Sequence, residues 1–377
     1  MSHLLTLVKP GNIEIARSTG CFLYDKEGQR YIDLESGVWC VGLGHNHPRI
    51  NRSINKQLDN TLHLGYQAKN PLPEKLSMAL QRKLKFSESK SVFLSSGSEA
   101  VDLAISISKH ITNRNKICVI EGSYLSAFGH GKSQEGNKNL VSIENNNYTK
   151  LASFDFKDIA AFVFEPGTAW GKISFPSTEF IDAISKKAKA NNCLVIVDEV
   201  TTGMGRTGKW FGFEHYRMLP DIVVCGKGLG NGYPVSSVTL NKTVANAFEE
   251  DPFRYAQSHQ NDPLGCSVAL EVIKEIERTD LVIKTEEKGI LFKSLLKEIT
   301  RKHPVIKDIR GRGLMLAVEF DDCDNAEKAH RYLLANKIIS GIKSNVIRFM
   351  PPLIIDHELI HEVVDTFEKS LSLLPAK

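Results

Sequence analysis

Short apolar runs recur between residues 91 and 240, and they constrain the fold of this chain more than any other feature. Segments with the helical spacing of apolar residues, such as Glu99–Ile111 and Ser177–Ala190, lie between several of these runs. Runs that are apolar on both faces suit a sheet covered on both sides, and alternation with helices makes such a sheet largely parallel. The runs are Ser91–Leu94, Ile117–Ile120, Ile159–Phe164, Leu194–Val197, Ile222–Cys225 and Val235–Leu240. The pattern therefore predicts an α/β fold with a mostly parallel sheet between helices.

The C-terminal third of the chain has a different pattern. It contains a long helical stretch at Leu264–Ile299, a strand at Leu314–Phe320, a helix near Ala326–Ala335 and a strand at Val346–Met350. Asp356 is placed to cap a last amphipathic helix. Strands and helices that bury only one face indicate a smaller α+β domain.

The N-terminal segment carries the pattern of a hairpin, because Cys21–Tyr24 and Arg30–Leu34 flank a polar turn. We expect this hairpin to join the C-terminal unit. The predicted organisation is an N-terminal segment at 1–43 that joins the small domain, a large domain at 44–265 and a small α+β domain at 266–377.

Composition excludes several classes of protein. The chain has 377 residues, enough for two domains, and its 48 Lys and Arg against 44 Asp and Glu form no dense basic block, so no nucleic-acid partner is expected. The apolar stretches are far shorter than the roughly 18 residues that span a bilayer, and the Leu4–Val8 run is too short for the apolar part of a signal peptide. We therefore expect a cytoplasmic protein without a membrane partner.

The cysteine pattern favours neither a disulfide framework nor a zinc cluster. The seven cysteines are widely spaced and contain no C-x-x-C pair. We interpret them as buried, small apolar residues in a reducing compartment.

A stretch of small residues, Ser95–Ala100, follows one of the predicted strands and opens a helix. The free backbone N–H groups and the positive end of the helix dipole make such a position suitable for an anion, above all a phosphate. A helix that is merely capped by serine gives the same pattern, so this feature alone leaves both interpretations open.

Asp198 and Lys227 follow two further predicted strands, and Lys227 lies between Gly226 and Gly228. A lysine at the end of a buried strand is costly unless a partner neutralises it or covalent chemistry uses it, and a desolvated amine is a nucleophile suited to Schiff-base formation. A surface lysine in a glycine loop is the alternative. If the two strands are neighbours, about 4.8 Å apart, Asp198 and Lys227 would approach opposite ends of one planar ring.

At this point the residues carry a family resemblance along most of the chain. The chain resembles the class III, pyridoxal-phosphate (PLP)-dependent aminotransferases of fold type I, a group that includes acetylornithine, ornithine and ω-amino-acid transaminases. The motifs that match, in the family's order, are Tyr31–Leu34, Gly44–Pro48, Ser96–Ala100, Glu165–Pro166, Asp198–Gly208, Pro220–Ile222, Gly226–Lys227, Gly311–Met315 and Arg348. The resemblance implies a large PLP-binding domain with a mostly parallel sheet, plus the smaller α+β domain.

The resemblance also implies two catalytic residues. Lys227 resembles the lysine that holds the cofactor as an internal aldimine and then moves a proton between the substrate and the cofactor. Asp198 resembles the carboxylate that faces the pyridine nitrogen and keeps it protonated.

Further cofactor contacts follow from the same resemblance. Gly97 and Ser98 would donate N–H groups to the phosphate, while Tyr124 and Val200 would cover the two faces of the ring. Ser258 lies where the family has a threonine that reaches the phosphate of the neighbouring subunit, which implies a homodimer with its active site at the subunit interface.

The chain departs from the family pattern at two cofactor contacts. Thr201 replaces the glutamine that commonly follows the Asp-Glu-Val unit, and Leu125–Ser126 replaces the usual His-Gly after the stacking aromatic residue. These replacements alter the contacts to the cofactor without removing them.

Substrate-binding residues are expected at Arg348, Trp39, Glu165 and Trp170. In acetylornithine, ornithine and 4-aminobutyrate enzymes a glutamate shortly after the Glu-Pro pair binds the carboxylate-binding arginine; here Trp170 has that position and Arg348 resembles the arginine. We therefore expect Arg348 to have no carboxylate partner and to grip a substrate carboxylate. Trp39 resembles an aromatic residue at the pocket entrance, although both tryptophans are also compatible with a plain core role.

The resemblance implies transfer of an amino group from an amino acid or amine to a 2-oxo acid, through a pyridoxamine-phosphate form. A PLP-dependent racemase or epimerase uses the same lysine, aspartate and phosphate site, and remains an alternative. The segment His357–His361 also matches the H-E-x-x-H pattern of zinc hydrolases, but the extended pattern fails at Val364 and Phe367. A solvent-exposed helix face is the preferred interpretation of that segment, and no metal is expected.

Overall fold

The fold is taken from a computed structural model, which describes residues 3, 5–8, 11, 13–132, 137–168 and 170–374. Part of the Leu4–Val8 run and both ends of the predicted domain ranges, at residues 1 and 377, lie outside the described residues.

Helices and strands cover most of the described chain. The helices are α1 (Ser36–Trp39), α2 (Pro48–Leu58), α3 (Pro71–Leu84), α4 (Gly97–Thr112), α5 (Tyr148–Ser153), α6 (Thr178–Ala190), α7 (Lys242–Glu250), α8 (Pro263–Arg278), α9 (Leu281–Thr300), α10 (Cys323–Ala335) and α11 (His357–Ser372). The strands are β1 (Ile15–Thr19), β2 (Phe22–Asp25), β3 (Arg30–Asp33), β4 (Ser89–Leu94), β5 (Lys116–Ile120), β6 (Leu140–Ile143), β7 (Ile159–Phe164), β8 (Leu194–Asp198), β9 (Ile222–Cys225), β10 (Ser236–Asn241), β11 (Ile306–Arg312), β12 (Met315–Phe320), β13 (Ile338–Ile339), β14 (Gly341–Lys343) and β15 (Val346–Phe349).

A seven-stranded sheet in the order β4-β10-β9-β8-β7-β5-β6 forms the centre of the molecule. All six strands predicted from the apolar runs are present in it, and the predicted α/β architecture is confirmed. The strands β5 to β9 run parallel, whereas β10 pairs antiparallel with both β4 and β9. The prediction missed β6, because three of its four residues are only partly buried at the sheet edge and Ser142 interrupts its apolar run.

Local sequence explains where the helices beside this sheet begin. Ser96 and Ser177 cap α4 and α6 by accepting hydrogen bonds from the N–H groups of Glu99 and Phe180. In α7, Asn241 has the same role. Each of these helices therefore starts immediately after a strand or loop.

The C-terminal region contains a second sheet, in the order β11-β12-β15-β14, packed against α9 and α10 and, through Phe367, against α11. The long helical stretch predicted at Leu264–Ile299 is helical and consists of two separate helices, α8 and α9. Asp280 lies between them with a φ of 51°, a left-handed conformation that ends one helix and begins the next. The apolar spacing continues across this break, which explains why the periodicity alone did not reveal it.

A third sheet joins the two ends of the chain, in the order β1-β2-β3-β13. The hairpin of β2 and β3 is antiparallel, and β13 adds in parallel, with Ile338 opposite Ile32. The backbone N–H of Met350 also donates to the carbonyl of Leu34. These pairings place the end of β3 beside the end of β15.

All seven cysteines are free thiols. Cys21, Cys118, Cys193, Cys225 and Cys266 are buried as predicted, but Cys40 is half-buried and Cys323 is exposed, so the prediction is wrong for these two. Within the described part of the chain, no helix combines the length and apolarity needed to cross a bilayer.

Candidate active site

The carboxyl ends of β8 and β9 form the centre of the candidate site. The two strands are parallel neighbours, and Asp198, the last residue of β8, pairs with Val224 of β9. Lys227 follows two residues after the end of β9. The aspartate and the lysine therefore leave the same edge of the sheet from adjacent strands, where ligands bind in doubly wound folds.

The Lys227 side chain is held over the sheet edge. Its Nζ donates a hydrogen bond to Thr201 Oγ1 at 2.8 Å and lies 5.1 Å from the centre of the Trp39 ring. The backbone of Lys227 has a φ of 40°, in a left-handed region that costs free energy for a residue with a side chain. Backbone strain of this kind is a recurrent property of functional positions.

Asp198 is a buried carboxylate, only 3% exposed. Its Oδ1 accepts a hydrogen bond from the backbone N–H of Val200 at 2.9 Å. Burial raises the pKa of Asp198 to about 6, against the opposing effects of the Val200 N–H and the charge of Lys227. An aspartate in such a site is stabilised in its ionised form by a positive charge placed against it.

The N-terminus of α4 borders the same site. Val200 lies against Gly97, since a Cβ added to Gly97 would meet the Val200 methyl groups at 2.8 and 2.9 Å. The absence of a side chain at Gly97 therefore lets the first turn of the helix approach the loop after β8. The N–H groups of Gly97 and Ser98 belong to that first turn, which has no carbonyl partners within the helix.

Two aromatic residues that were predicted for the site, Tyr124 and Trp170, contact each other. The Tyr124 and Trp170 rings stack with their centres 5.2 Å apart and an angle of 28° between their planes. Glu165 is buried and accepts a hydrogen bond from the backbone N–H of Tyr124 at 3.3 Å. Trp170 is exposed, whereas Trp39 is buried. Glu165 thus anchors the tyrosine loop to the end of β7.

The expectation that Arg348 has no carboxylate partner is wrong. Its guanidinium lies 3.7 Å from Glu35 Oε2, and its Cζ lies 5.3 Å from the centre of the Trp39 ring. The Arg348 guanidinium also donates a hydrogen bond through Nη1 to the carbonyl of Trp170 at 3.4 Å. Glu35 could not be predicted as this partner, because it lies in the N-terminal segment, more than three hundred positions from the arginine, and no local motif includes both residues.

Glu35 precedes an unusual turn. Ser36, Gly37, Val38 and Trp39, which form α1, all have positive φ angles between 41° and 67°, so this turn is left-handed. Asp33 accepts hydrogen bonds from the N–H groups of Glu35 at 2.8 Å and Gly37 at 3.1 Å.

The side chains of His45 and Arg206, which lie outside the turn, also stabilise it. His45 Nε2 lies 2.8 Å from Asp33 Oδ2. The Ser36 hydroxyl donates to the carbonyl of Met350 at 2.8 Å and accepts from Arg206 at 3.2 Å. The predicted pocket residue Trp39 is therefore presented by a strained turn that side chains on three segments stabilise.

Ser258 lies apart from this group. It is exposed on the loop between α7 and α8, whose Tyr255 hydroxyl donates to Glu99 at 2.9 Å. Asn261, on the same loop, exchanges backbone and side-chain hydrogen bonds with Phe93. Within the described residues, no hydrogen bond joins Ser258 to Lys227, Thr201 or Asp198.

The H-E-x-x-H segment opens α11, with its first residue next to the capping Asp356. His357, Glu358 and His361 are exposed, and the intervening Leu359 and Ile360 are buried. This arrangement matches the predicted solvent-facing side of an amphipathic helix.

A separate cluster brings His63 and His259 onto one carboxylate. Their Nδ1 atoms lie 2.7 and 2.6 Å from the two oxygens of Asp262. Each oxygen therefore has one imidazole as its hydrogen-bond partner, which accounts for the proximity of the three side chains.

Comparison with known proteins gives a consistent result over nearly the whole chain. The Aminotransferase class-III family profile matches residues 7–136 and 129–371. An acetylornithine aminotransferase from Caldanaerobacter subterraneus is 30% identical, covering 96% of this chain and 95% of its own. The same enzyme from Methanopyrus kandleri is 31% identical, covering 96% and 93%.

Solved structures agree with these relatives. The acetylornithine aminotransferase of Elizabethkingia anophelis superposes with a TM-score of 0.87 at 27% identity, covering 99% of this chain and 97% of its own. An S-selective transaminase from Arthrobacter sp. superposes with a TM-score of 0.89 at 22% identity, covering 97% and 93%. The second match bears on the fold alone.

Proposed function

The chain belongs to the class-III aminotransferases, and from that membership we infer how its own residues carry out the transfer. The protein is a PLP-dependent aminotransferase of fold type I, which moves an amino group from an amino donor to a 2-oxo acid. We propose Lys227 and Asp198 as its catalytic pair. The observation that carries this assignment is the position of both residues at the ends of neighbouring parallel strands.

The residues of the site fit PLP in three respects. Lys227 offers an amine for the aldehyde, and the buried Asp198 offers a carboxylate for a protonated pyridine nitrogen. The first turn of α4, kept close by the absence of a side chain at Gly97, offers N–H groups for the phosphate. The raised pKa of Asp198 supports this fit, because a buried carboxylate without a bound cation is unfavourable.

When bound, the cofactor supplies an aldehyde carbon that receives the amino group and a ring that withdraws electrons from the substrate carbon. Lys227 would hold the cofactor, would be released by the incoming amine, and would then move a proton from the substrate α-carbon to the cofactor carbon that had carried the aldehyde. Thr201 orients the lysine Nζ through its hydroxyl oxygen. Asp198 keeps a proton on the ring nitrogen by its charge.

We assign the remaining cofactor contacts as follows. Gly97 and Ser98 donate backbone N–H groups to the phosphate, while Val200 and Tyr124 cover the two ring faces. The stacking of Tyr124 on Trp170 and its anchoring by Glu165 support this role, because they fix the plane of the tyrosine ring.

The substrate pocket is proposed to lie between Lys227, Arg348 and Trp39. The Trp39 ring has the lysine Nζ and the arginine Cζ at 5.1 and 5.3 Å from its centre. A substrate with its amine at Lys227 and a carboxylate at Arg348 would pass over this ring. With Trp170 at the rim, the pocket favours a partly apolar amino acid or amine.

We propose that the enzyme is a homodimer in which Ser258 reaches the phosphate site of the partner. Ser258 is exposed, and among the described residues no hydrogen bond joins it to Lys227, which supports a role between subunits. The hydrogen bonds of Tyr255 and Asn261 fix the Ser258 loop to its own subunit, as such a role requires.

We also propose a cytoplasmic location. The free state of the seven cysteines suits a reducing compartment. Cell fractionation with an antibody against the native protein tests this proposal, and recovery from an oxidising compartment would contradict it.

Incubation of the purified protein with PLP tests the catalytic assignment. The wild type is expected to absorb in the visible, and borohydride is expected to attach the cofactor to the peptide that contains Lys227. Lys227→Ala should lose this adduct, whereas the exposed control Lys186→Ala should keep it. A donor screen followed by conversion to the pyridoxamine form then identifies the amino donor. An adduct on another lysine, or a protein that stays colourless, would overturn the assignment.

A further inference from the structure

We propose that Glu35 is a specificity-determining residue that competes with the substrate carboxylate for Arg348. This inference rests on the proposed substrate pocket, and it assigns to the N-terminal segment a direct influence on which substrates the enzyme accepts. Substrates whose carboxylate reaches Arg348 displace Glu35, whereas substrates without such a carboxylate leave the Glu35–Arg348 pair intact.

The electrostatics of the pocket require such a partner. The Arg348 side chain is 10% exposed and the Glu35 side chain 21%, with 3.7 Å between Nη2 and Oε2. A guanidinium that is largely removed from water is unfavourable without a negative charge beside it. Glu35 supplies that charge before substrate arrives, so an amine without a carboxylate meets a neutralised pocket.

The backbone around the pair is shaped to admit it. Gly341 of β14 lies opposite Arg348 of β15 in the sheet. A Cβ added to Gly341 would overlap the Glu35 carboxylate and would lie 2.8 Å from Arg348 Nε. The glycine therefore leaves the volume in which the glutamate and the arginine meet.

The left-handed turn fixes where Glu35 lies. Asp33 binds the Glu35 N–H, and the Trp39 N–H donates to the Glu35 carbonyl at 2.7 Å. The indole N–H of Trp39 also points to Glu35 Oε1, at 3.4 Å. Trp39 also contacts Lys227. The same turn therefore positions both the Trp39 ring in the pocket and the competing carboxylate of Glu35.

The geometry of the pair makes displacement feasible. At 3.7 Å the contact is longer than a charge-assisted hydrogen bond of about 2.7–2.9 Å, so a substrate carboxylate that binds the guanidinium in two-pronged fashion gains a closer contact than it removes. The predicted substrate pair therefore consists of one partner with a carboxylate that reaches Arg348 and one partner that ends in an uncharged group there.

Glu35→Gln tests the proposal in the PLP-loaded enzyme. The variant keeps the shape of the side chain and removes its charge. Straight-chain ω-amino acids are compared with amines of the same length that lack the carboxylate, by the KM and kcat of the first half-reaction. We expect the KM for the amino acids to fall about tenfold, the change that a lost competing interaction of about 1.4 kcal/mol would produce. The KM for the amines should rise, because the charge of Glu35 no longer lies beside Arg348.

Glu319→Gln is the matched control, since Glu319 pairs with Arg310 at 2.7 Å outside the pocket and its loss should change neither KM. Gly341→Ala is the second variant. Its added methyl group should displace the Glu35 and Arg348 side chains, and both KM values should then differ from those of the wild type although no charge is removed. Equal changes for both substrate series in Glu35→Gln would overturn the proposal.

A binding experiment that needs no turnover distinguishes a failure of the proposed function from a failure of the proposed role of Glu35. Calorimetry measures the affinity of straight-chain monocarboxylates for the PLP-loaded wild type and for the PLP-loaded Glu35→Gln variant. Tighter binding to Glu35→Gln than to the wild type is expected there also. If the wild type transfers no amino group but this difference is present, the function fails and the role of Glu35 stands; unchanged binding overturns the role itself.

Discussion

At the scale of single residues, the buried charge of Asp198 couples the stability of the cofactor-free protein to pH. The folded state raises the pKa of this carboxyl to about 6 from 3.8, so its contribution to stability is complete at low pH and is lost as the pH rises through about 6. Above that pH the native state holds an ionised, poorly solvated carboxylate.

Asp198→Asn should remove this dependence, because the amide does not ionise and keeps the acceptor for the Val200 N–H. The melting temperature of the cofactor-free variant, relative to the wild type, is expected to be about 2 °C or more higher at pH 7.5 than at pH 5. Scanning calorimetry at the two pH values measures the difference. The exposed Asp365→Asn is the control, and an equal offset for Asp198→Asn at both pH values would contradict the prediction.

Residue patterns predicted the centre of the site better than its substrate end. Lys227 and Asp198 could be placed because each follows a buried strand, and parallel neighbours bring their ends together. The partner of Arg348 could not be predicted, because Glu35 meets it only through the pairing of distant strands. A contact that depends on tertiary packing leaves no spacing in the sequence.

At the scale of elements, the start of α4 depends on the close packing of Gly97 against Val200. Gly97→Ala would place a Cβ 2.8 Å from a Val200 methyl group, and the helix or the loop must then shift. We expect cofactor affinity to fall about tenfold, equivalent to about 1.4 kcal/mol, as measured by PLP titration. Adding Val200→Ala removes the methyl groups and should restore part of the affinity.

Gly11→Ala, which adds a Cβ with nothing described within 4 Å, serves as the control for that experiment. If the double variant binds PLP as weakly as Gly97→Ala alone, the collision with Val200 is not the cause of the loss.

The left-handed turn of α1 is a second element, and the free-energy cost of its backbone strain can be measured. Val38 has φ 59° and ψ 45° with its side chain 56% exposed, so it is strained and contributes little burial. Asparagine tolerates this conformation, and Val38→Asn should raise the free energy of unfolding by about 1 kcal/mol. Urea denaturation measures the change.

Ile290→Asn is the comparison for Val38→Asn, because Ile290 is 66% exposed on the regular helix α9 and offers no strain to relieve. This variant should be neutral or destabilised. A loss of stability in Val38→Asn as large as that in Ile290→Asn would show that the turn stores no strain at this residue.

Elements were predictable where one local signal decided them. Apolar periodicity predicted α4 and α6 closely. Periodicity did not reveal the break at Asp280 or the left-handed α1, because both depend on backbone conformations that several residue types adopt only under tertiary constraint.

At the scale of the whole molecule, the dimer proposal predicts complementation between two inactive variants. Lys227→Ala lacks the catalytic amine, and Ser258→Asp would place a negative charge against the partner's phosphate. In a mixed dimer, one site would combine an intact Lys227 with an intact Ser258 from the other subunit. Co-expression should therefore recover about a quarter of the wild-type activity, since half of randomly formed dimers are mixed and each has one intact site.

The same two inactive variants, folded separately and then mixed without subunit exchange, provide the control for that experiment, because no new sites form. Co-expressed dimers with no recovered activity would contradict a role for Ser258 between subunits.

We propose a change to the predicted domain boundary. The division between residues 265 and 266 falls inside α8, which packs on α2 and α3. The break at Thr279–Asp280 is the better division, because it separates two helices with different partners. The N-terminal segment at 1–43 is still proposed to belong with the C-terminal unit, through the pairing of β3 with β13.

The bond from the Ser36 hydroxyl to the Met350 carbonyl links residues 314 positions apart. During synthesis, the central sheet has all its strands long before Met350 leaves the ribosome. The turn that carries Glu35 and Trp39 has to wait for the last strands before its anchor exists, and contacts of such long range form slowly. A nascent chain that stalls in the final segment would thus hold a finished sheet beside an open, unfinished pocket.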